Sequence, residues 1–203
     1  MSVLFLKGLA FGFVLAATVG PMWVLCLRRT LAYGARTGFA SGMGIAAADG
    51  IYGAIAAFGL TAVSGFLLAH GFWIGFGGAL FLIFLGVKTL LARPAASGEA
   101  ARPASLAAAF ASTLGLTLAN PPTILAFVAI FAGLGLAASP SYAAAALITL
   151  AVFLGSAAWW VLLAAFAGRL RARLGPQLLR AINVVSGISI LGFAAWQVAR
   201  LLR

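Results

Sequence analysis

Apolar runs of about 20 residues recur along this chain, the length an α-helix needs to cross the hydrocarbon core of a bilayer. Of its 203 residues, 65% are hydrophobic and 7% charged, with a mean hydropathy of +1.18. A soluble domain carries far more charge than that. Strands of a membrane β-barrel alternate apolar and polar side chains over about 10 residues, and these runs do not alternate. The sequence therefore reads as an all-α integral membrane protein embedded in a lipid bilayer.

Polar breaks divide the chain into six expected transmembrane helices. The first runs from about Val3 to Leu27. It is too long for the apolar core of a signal peptide, and no cleavage site followed by a polar mature domain succeeds it. Arg28, Arg29 and Arg36 mark the first turn. The second helix covers Thr37 to Leu60, or continues to Leu68, and the third covers Phe72 to Leu91. The stretch RPAASGEAARP, Arg93 to Pro103, is a polar linker. Beyond it lie a fourth helix from Ser105 to Leu136, a fifth from Tyr142 to Ala167, and a sixth opening at Gly175-Pro176 and ending near Arg200. The expectation is one transporter domain built of two halves, 1–92 and 105–203, joined by linker 93–104.

The net charge of +11 does not point to nucleic acid, because no basic patch is long enough to track phosphates. The basic side chains instead stand at the ends of apolar segments. The first, third and fifth connections carry ten of them and the opposite side three, Lys7, Arg200 and Arg203. The positive-inside rule then puts both termini outside a bacterial inner membrane.

With six spans, the first helices of the two halves run in opposite directions, and each contains a proline break. Gly20-Pro21 and Asn120-Pro121 are 100 residues apart. Proline removes a backbone donor, and in a membrane the freed groups must find partners or line a wet cavity. Matched breaks predict a 3+3 inverted repeat with broken helices 1 and 4, and a substrate site near the midplane. Pro21, Asn120 and Pro121 are expected to shape a cavity between the halves. Thr18, Thr117 and Thr123 lie within a turn of the breaks and either bond back to the helix or face a substrate.

The second helix carries Gly34, Gly38, Gly42, Ala46 and Gly50 at intervals of four, a spacing that lets membrane helices approach closely. Asp49 shares the face of Gly42 and Gly53, so it turns toward the protein. It is one of only two acids in the chain, and the other, Glu99, lies in the linker. Asp49 stands 13 residues past Arg36, or about 20 Å along a helix. An ionised Asp at that depth costs about 2.5–3.5 kcal/mol and needs a partner, water or a proton. The alternatives are a coupling carboxyl and a hydrogen-bonded structural acid.

Other chemistries are excluded. One cysteine, Cys26, and one histidine, His70, make neither a zinc site nor a nucleophile–base pair, so no metal, no cofactor and no enzymatic activity is expected. Trp23 reads as an interfacial residue. The Trp159-Trp160 pair reads as packing, and Asn183, Ser186 and Ser189 as hydrogen-bonding groups between helices.

At these residues the chain resembles the LysE/RhtB family of small bacterial exporters. The resemblance is strongest over Gly20 to Leu60, with Gly-Pro, a glycine-spaced turn and a Gly-rich helix bearing Asp. It extends through Gly78 to Leu90 and Asn120-Pro121. It implies six helices and export of amino acids or related metabolites in exchange for protons. Three positions depart from the family's pattern. Met22-Trp23 follows the first proline where a polar residue is common, Ala48 precedes the acid where Gly is common, and Pro122 follows Asn-Pro where Lys is common. These changes suit a more apolar or a different solute. A passive pore, a membrane-assembly protein and an ion or metal exporter are the competing functions.

Overall fold

A computed structural model describes residues 1–58, 69–91, 105–120, 142–171 and 175–202, together with 123 and 127. These residues are helical, with short turns between. The helices are α1 (Ser2–Ala17), α2 (Pro21–Tyr33), α3 (Ala35–Ala57), α4 (Gly71–Leu90), α5 (Leu106–Leu118), α6 (Tyr142–Arg171) and α7 (Pro176–Leu201). Four of them, α3, α4, α6 and α7, are long and apolar enough to cross a membrane, and α1 with α2 forms a fifth candidate span bent by 74°. The shorter α5 covers the start of the expected fourth span; residues 121, 122 and most of 124–141 lie outside the described ones. So do the linker 93–104 and the proposed continuation of the second helix, 59–68.

The polarity of the bundle is that of a protein solvated by lipid. Large apolar side chains cover its outside, among them Trp73, Phe84, Phe166, Val185 and Trp196, each more than half exposed. Polar side chains are turned in: Ser41, Asp49, Thr113, Ser156, Asn183 and Gln197 are all buried. In hydrocarbon an unpaired polar group costs more than an exposed leucine, and this arrangement follows from that.

The core is organised around α3 and α6. α3 packs on α6 and α5, α1 on α6, and α4 on α7. Small residues set the approach. A Cβ at Gly42 would overlap the Trp160 side chain, one at Gly12 the backbone of Val152, and one at Gly155 the backbone of Leu9. Cross-links between helices are made by buried polar groups: Thr113 Oγ1 donates to Ser41 O at 2.7 Å, and Gln197 Nε2 to Gly75 O at 2.6 Å. The start of α5 is capped by Ser105, whose Oγ accepts from Ala108 N at 3.2 Å.

The break expected in the first span is present, and one expectation beside it changes. α1 stops at Ala17 and α2 restarts at Pro21. Proline at the first position of a helix has no donor to lose, so the break is accommodated by ending one helix and starting another. Arg28 and Arg29 do not mark a turn, because α2 continues past them to Tyr33. The turn is at Gly34, with φ 99° and ψ 169°, a region that essentially only glycine occupies. Trp23 stands in the first turn of α2, against the buried cluster of Leu25, Cys26 and Trp160.

Candidate functional site

Asp49 lies where α3 meets α6 and is 3% exposed. Its Oδ2 accepts a hydrogen bond from Ser156 Oγ at 2.7 Å. The two residues meet because α3 is nearly side-chain-free on this face: Gly42 lets Trp160 in, and Gly50 and Gly53 stand opposite Phe153 and Val152. Among the described residues no cation pairs with the acid. One turn further along α3, the Tyr52 hydroxyl donates to Leu118 O at 2.6 Å. That carbonyl belongs to the last residue of α5, where helical partners run out.

Both expected breaks coincide with helix ends. At the first, Thr18 Oγ1 donates back to Val14 O at 3.1 Å, and the Gly20 carbonyl accepts from Val24 N at 3.0 Å to open α2. Gly20 is extended, with φ −154° and ψ −175°, and a Cβ there would meet nothing within 4 Å. Neither backbone conformation nor space requires a glycine. At the second, α5 ends at Leu118, Asn120 N donates to Thr117 O at 3.1 Å, and Asn120 Nδ2 donates to Thr123 Oγ1 at 3.0 Å. Pro121 lies outside the described residues. Thr117 is buried, and its hydroxyl has no hydrogen-bond partner among the described residues.

Three indole N–H groups share that condition: Trp23, Trp159 and Trp160 are all buried at Nε1 without an acceptor among the described residues. They belong to one apolar cluster with Met22, Ile45 and Ala46. Trp159 and Trp160 follow Ser156 by three and four residues, so they flank the Asp49 contact on the same face of α6. Phe13 meets Trp159 edge-on, with ring centroids 5.4 Å apart. The result is a packed apolar cluster that holds one carboxyl and three indole donors without an acceptor among the described residues.

Of the glycines expected to serve packing, Gly38 faces Thr30, whose side chain a Cβ would overlap, and Gly42 faces Trp160. At Gly53 a Cβ would make ordinary contact with Val152 at 3.6 Å. Sequence reasoning missed Ser156 and Tyr52. Ser156 had one usable signal, its position one turn before the Trp pair, opposite the small-residue face of α3. No group of three or more His, Cys, Asp or Glu side chains that could hold a metal occurs among the described residues.

A bent span, long apolar helices and polar side chains turned into the bundle describe a multi-pass helical membrane protein. The chain belongs to the LysE type translocator family, whose model matches residues 13–199. Members of that family move small molecules across membranes, as transporters rather than enzymes. No curated protein and no solved structure gives a significant match to this chain.

Proposed function

We propose that this protein is a secondary transporter that exports amino acids or related small metabolites across the bacterial cytoplasmic membrane in exchange for protons. The observation that carries the reading is Asp49, an acid inside a span whose partner is a neutral hydroxyl. An ionised carboxylate at the centre of a membrane helix costs about 2.5–3.5 kcal/mol. A proton removes that charge. A carboxyl that passes between dry and wet surroundings changes its hold on the proton, which is what coupling to a gradient requires.

In this reading the two halves, 1–92 and 105–203, form a 3+3 inverted repeat around the broken spans. Gly20-Pro21, Asn120-Pro121 and Thr117 supply backbone and hydroxyl groups along the substrate path. Gly38 and Gly42 hold α3 against its neighbours. Both termini lie outside: ten basic residues stand at the first, third and fifth connections or the helix ends beside them, against three on the opposite side.

Asp49→Asn tests the coupling. The variant keeps size and hydrogen bonding but does not titrate. Purified and reconstituted in proteoliposomes, it is expected to insert and fold as the wild type does and to lose amino-acid flux driven by a pH gradient. Wild-type flux with unchanged dependence on the gradient would falsify the role of Asp49.

A further inference from the structure

Among the described residues, two arginines of α2 have only neutral partners. Arg28 is 6% exposed. Its Nε donates to Asn183 Oδ1 at 3.1 Å, its Nη2 to the Tyr33 hydroxyl at 3.3 Å, and its guanidinium lies 5.2 Å from the centre of the Tyr33 ring. Arg29 Nη1 donates to Ser41 Oγ at 3.1 Å and to Ala109 O at 3.0 Å, and its Nη2 to Ser112 Oγ at 2.9 Å. A guanidinium has five N–H donors, so each arginine keeps unused ones. Neither forms an ion pair among the described residues. Arg28, Arg29 and Lys88 line one pocket of about 200 Å³, with Tyr33, Thr89 and Ser112. The pocket sits at the end of the bundle where α2 and α4 finish and α5 begins.

A buried guanidinium, a half-buried one and an exposed ammonium converge here with no carboxylate among the pocket's lining residues, and the buried charge is costly unless an anion is bound. We infer that this pocket binds the carboxylate group of the transported solute, as its first station on the basic side of the membrane. Arginine's planar fork suits a carboxylate, and Phe81, Phe84 and Leu85 give the rest of the solute an apolar wall. The volume corresponds to roughly seven waters at about 30 Å³ each, so the solute portion held here is small.

The acid of the coupling site does not complete an amino-acid clamp in this pocket. Asp49 is eight residues past Ser41, the α3 partner of Arg29, or about 12 Å along the helix. The ammonium and carboxylate of an α-amino acid are joined through a single carbon and do not bridge that gap. The pocket therefore selects on the anionic group alone, and simple carboxylates enter it as well as amino acids do. An amide or ester that lacks the anion does not.

This inference rests on the exporter reading for the identity of the ligand, but it is tested without transport. Binding is measured by calorimetry and thermal shift on the full chain in phosphatidylcholine nanodiscs, at constant pH and ionic strength. The probes are acetate, propionate and glycine against acetamide, propionamide and glycinamide. The carboxylates are expected to bind and stabilise, and the amides not. Arg29→Gln should weaken acetate binding about 10- to 100-fold, the loss of one charged hydrogen-bonding group. Because Arg29 also ties α2 to α3 and α5, Lys88→Gln is the second variant. Lys88 is exposed along α4, and its loss should weaken binding several-fold without unfolding.

Equal binding of acids and amides, or acetate affinity unmoved in both variants, overturns the inference. So does acetate binding that disappears when phosphatidylglycerol replaces phosphatidylcholine, which assigns the pocket to a lipid phosphate. Carboxylate binding in a protein that moves no solute would leave the pocket standing and remove the exporter reading instead. Loss of binding with intact Asp49-dependent flux would do the reverse.

Discussion

Replacing Gly42 by alanine should disable the coupling site from two turns away. A Cβ at this position would overlap Trp160 Cβ and come within 2.9 Å of its Cγ. These atoms sit next to the α6 backbone, so no side-chain rotation relieves the contact; the helices must separate. Overpacking of this kind costs about 1–3 kcal/mol, which outweighs the roughly 1 kcal/mol that alanine gains over glycine as a helix former. Asp49 lies seven residues along the same face, about 10 Å away, and its 2.7 Å bond to Ser156 spans the same interface. Parting the helices by about 1 Å stretches that bond beyond hydrogen-bonding range. The neighbouring glycines grade the argument. At Gly50 a Cβ would meet Phe153 Cβ at 3.3 Å, and at Gly53 it would meet Val152 Cβ at 3.6 Å. Thermal unfolding in detergent and gradient-driven flux in proteoliposomes should therefore rank the variants: Gly42→Ala impaired in both, Gly50→Ala intermediate, Gly53→Ala neutral or slightly more stable. A Gly42→Ala protein as stable and active as wild type, or a reversed order, would refute the link between the α3–α6 spacing and the acid.

Gly34→Ala puts a side chain at φ 99°, ψ 169°, a strain of about 1–3 kcal/mol, and should lower the thermal midpoint of the purified protein; an unchanged midpoint would mean the turn rearranges freely. Tyr52→Phe leaves the Leu118 carbonyl at the end of α5 without its 2.6 Å donor. It should cost about 1–3 kcal/mol of stability, read by thermal unfolding, while Tyr52→Trp does not restore it. Reporter fusions after Arg102 and after Arg203 should report the cytoplasm and the outside, respectively, and a cytoplasmic signal from the second would contradict the six-span topology.

Much of the bundle is legible in the sequence because lipid enforces simple rules. The long apolar runs locate α3, α4, α6 and α7 to within a few residues, and Gly175-Pro176 marks the start of α7. The acid on the glycine face of α3 is legible too, since a wheel places Asp49 beside Gly42. Its partner is not. Ser156 is one of many small polar residues in apolar helices, and only the antiparallel pairing of α3 with α6 brings it 2.7 Å from the carboxyl. Likewise nothing local in Tyr52 announces a bond to a carbonyl 66 residues away.

The misreading of Arg28 and Arg29 has a different cause, and it bears on how such chains are understood. A pair of arginines at the end of an apolar run reads as the membrane surface, because a charge inside hydrocarbon is expensive. That inference assumes the span began at the chain's first apolar residue. Here α1 ends at Ala17 and the direction changes by 74° before α2 begins, so residues spent on α1 and the break do not count as straight depth. The helix reaches its turn only at Gly34, and both arginines fall within it, donating to Asn183, Ser41 and Ser112. The Gly20-Pro21 break and the two inward-turned arginines are thus one structural event. A break that ends one helix and restarts another carries charged side chains into the protein interior that an unbroken span would leave at its surface.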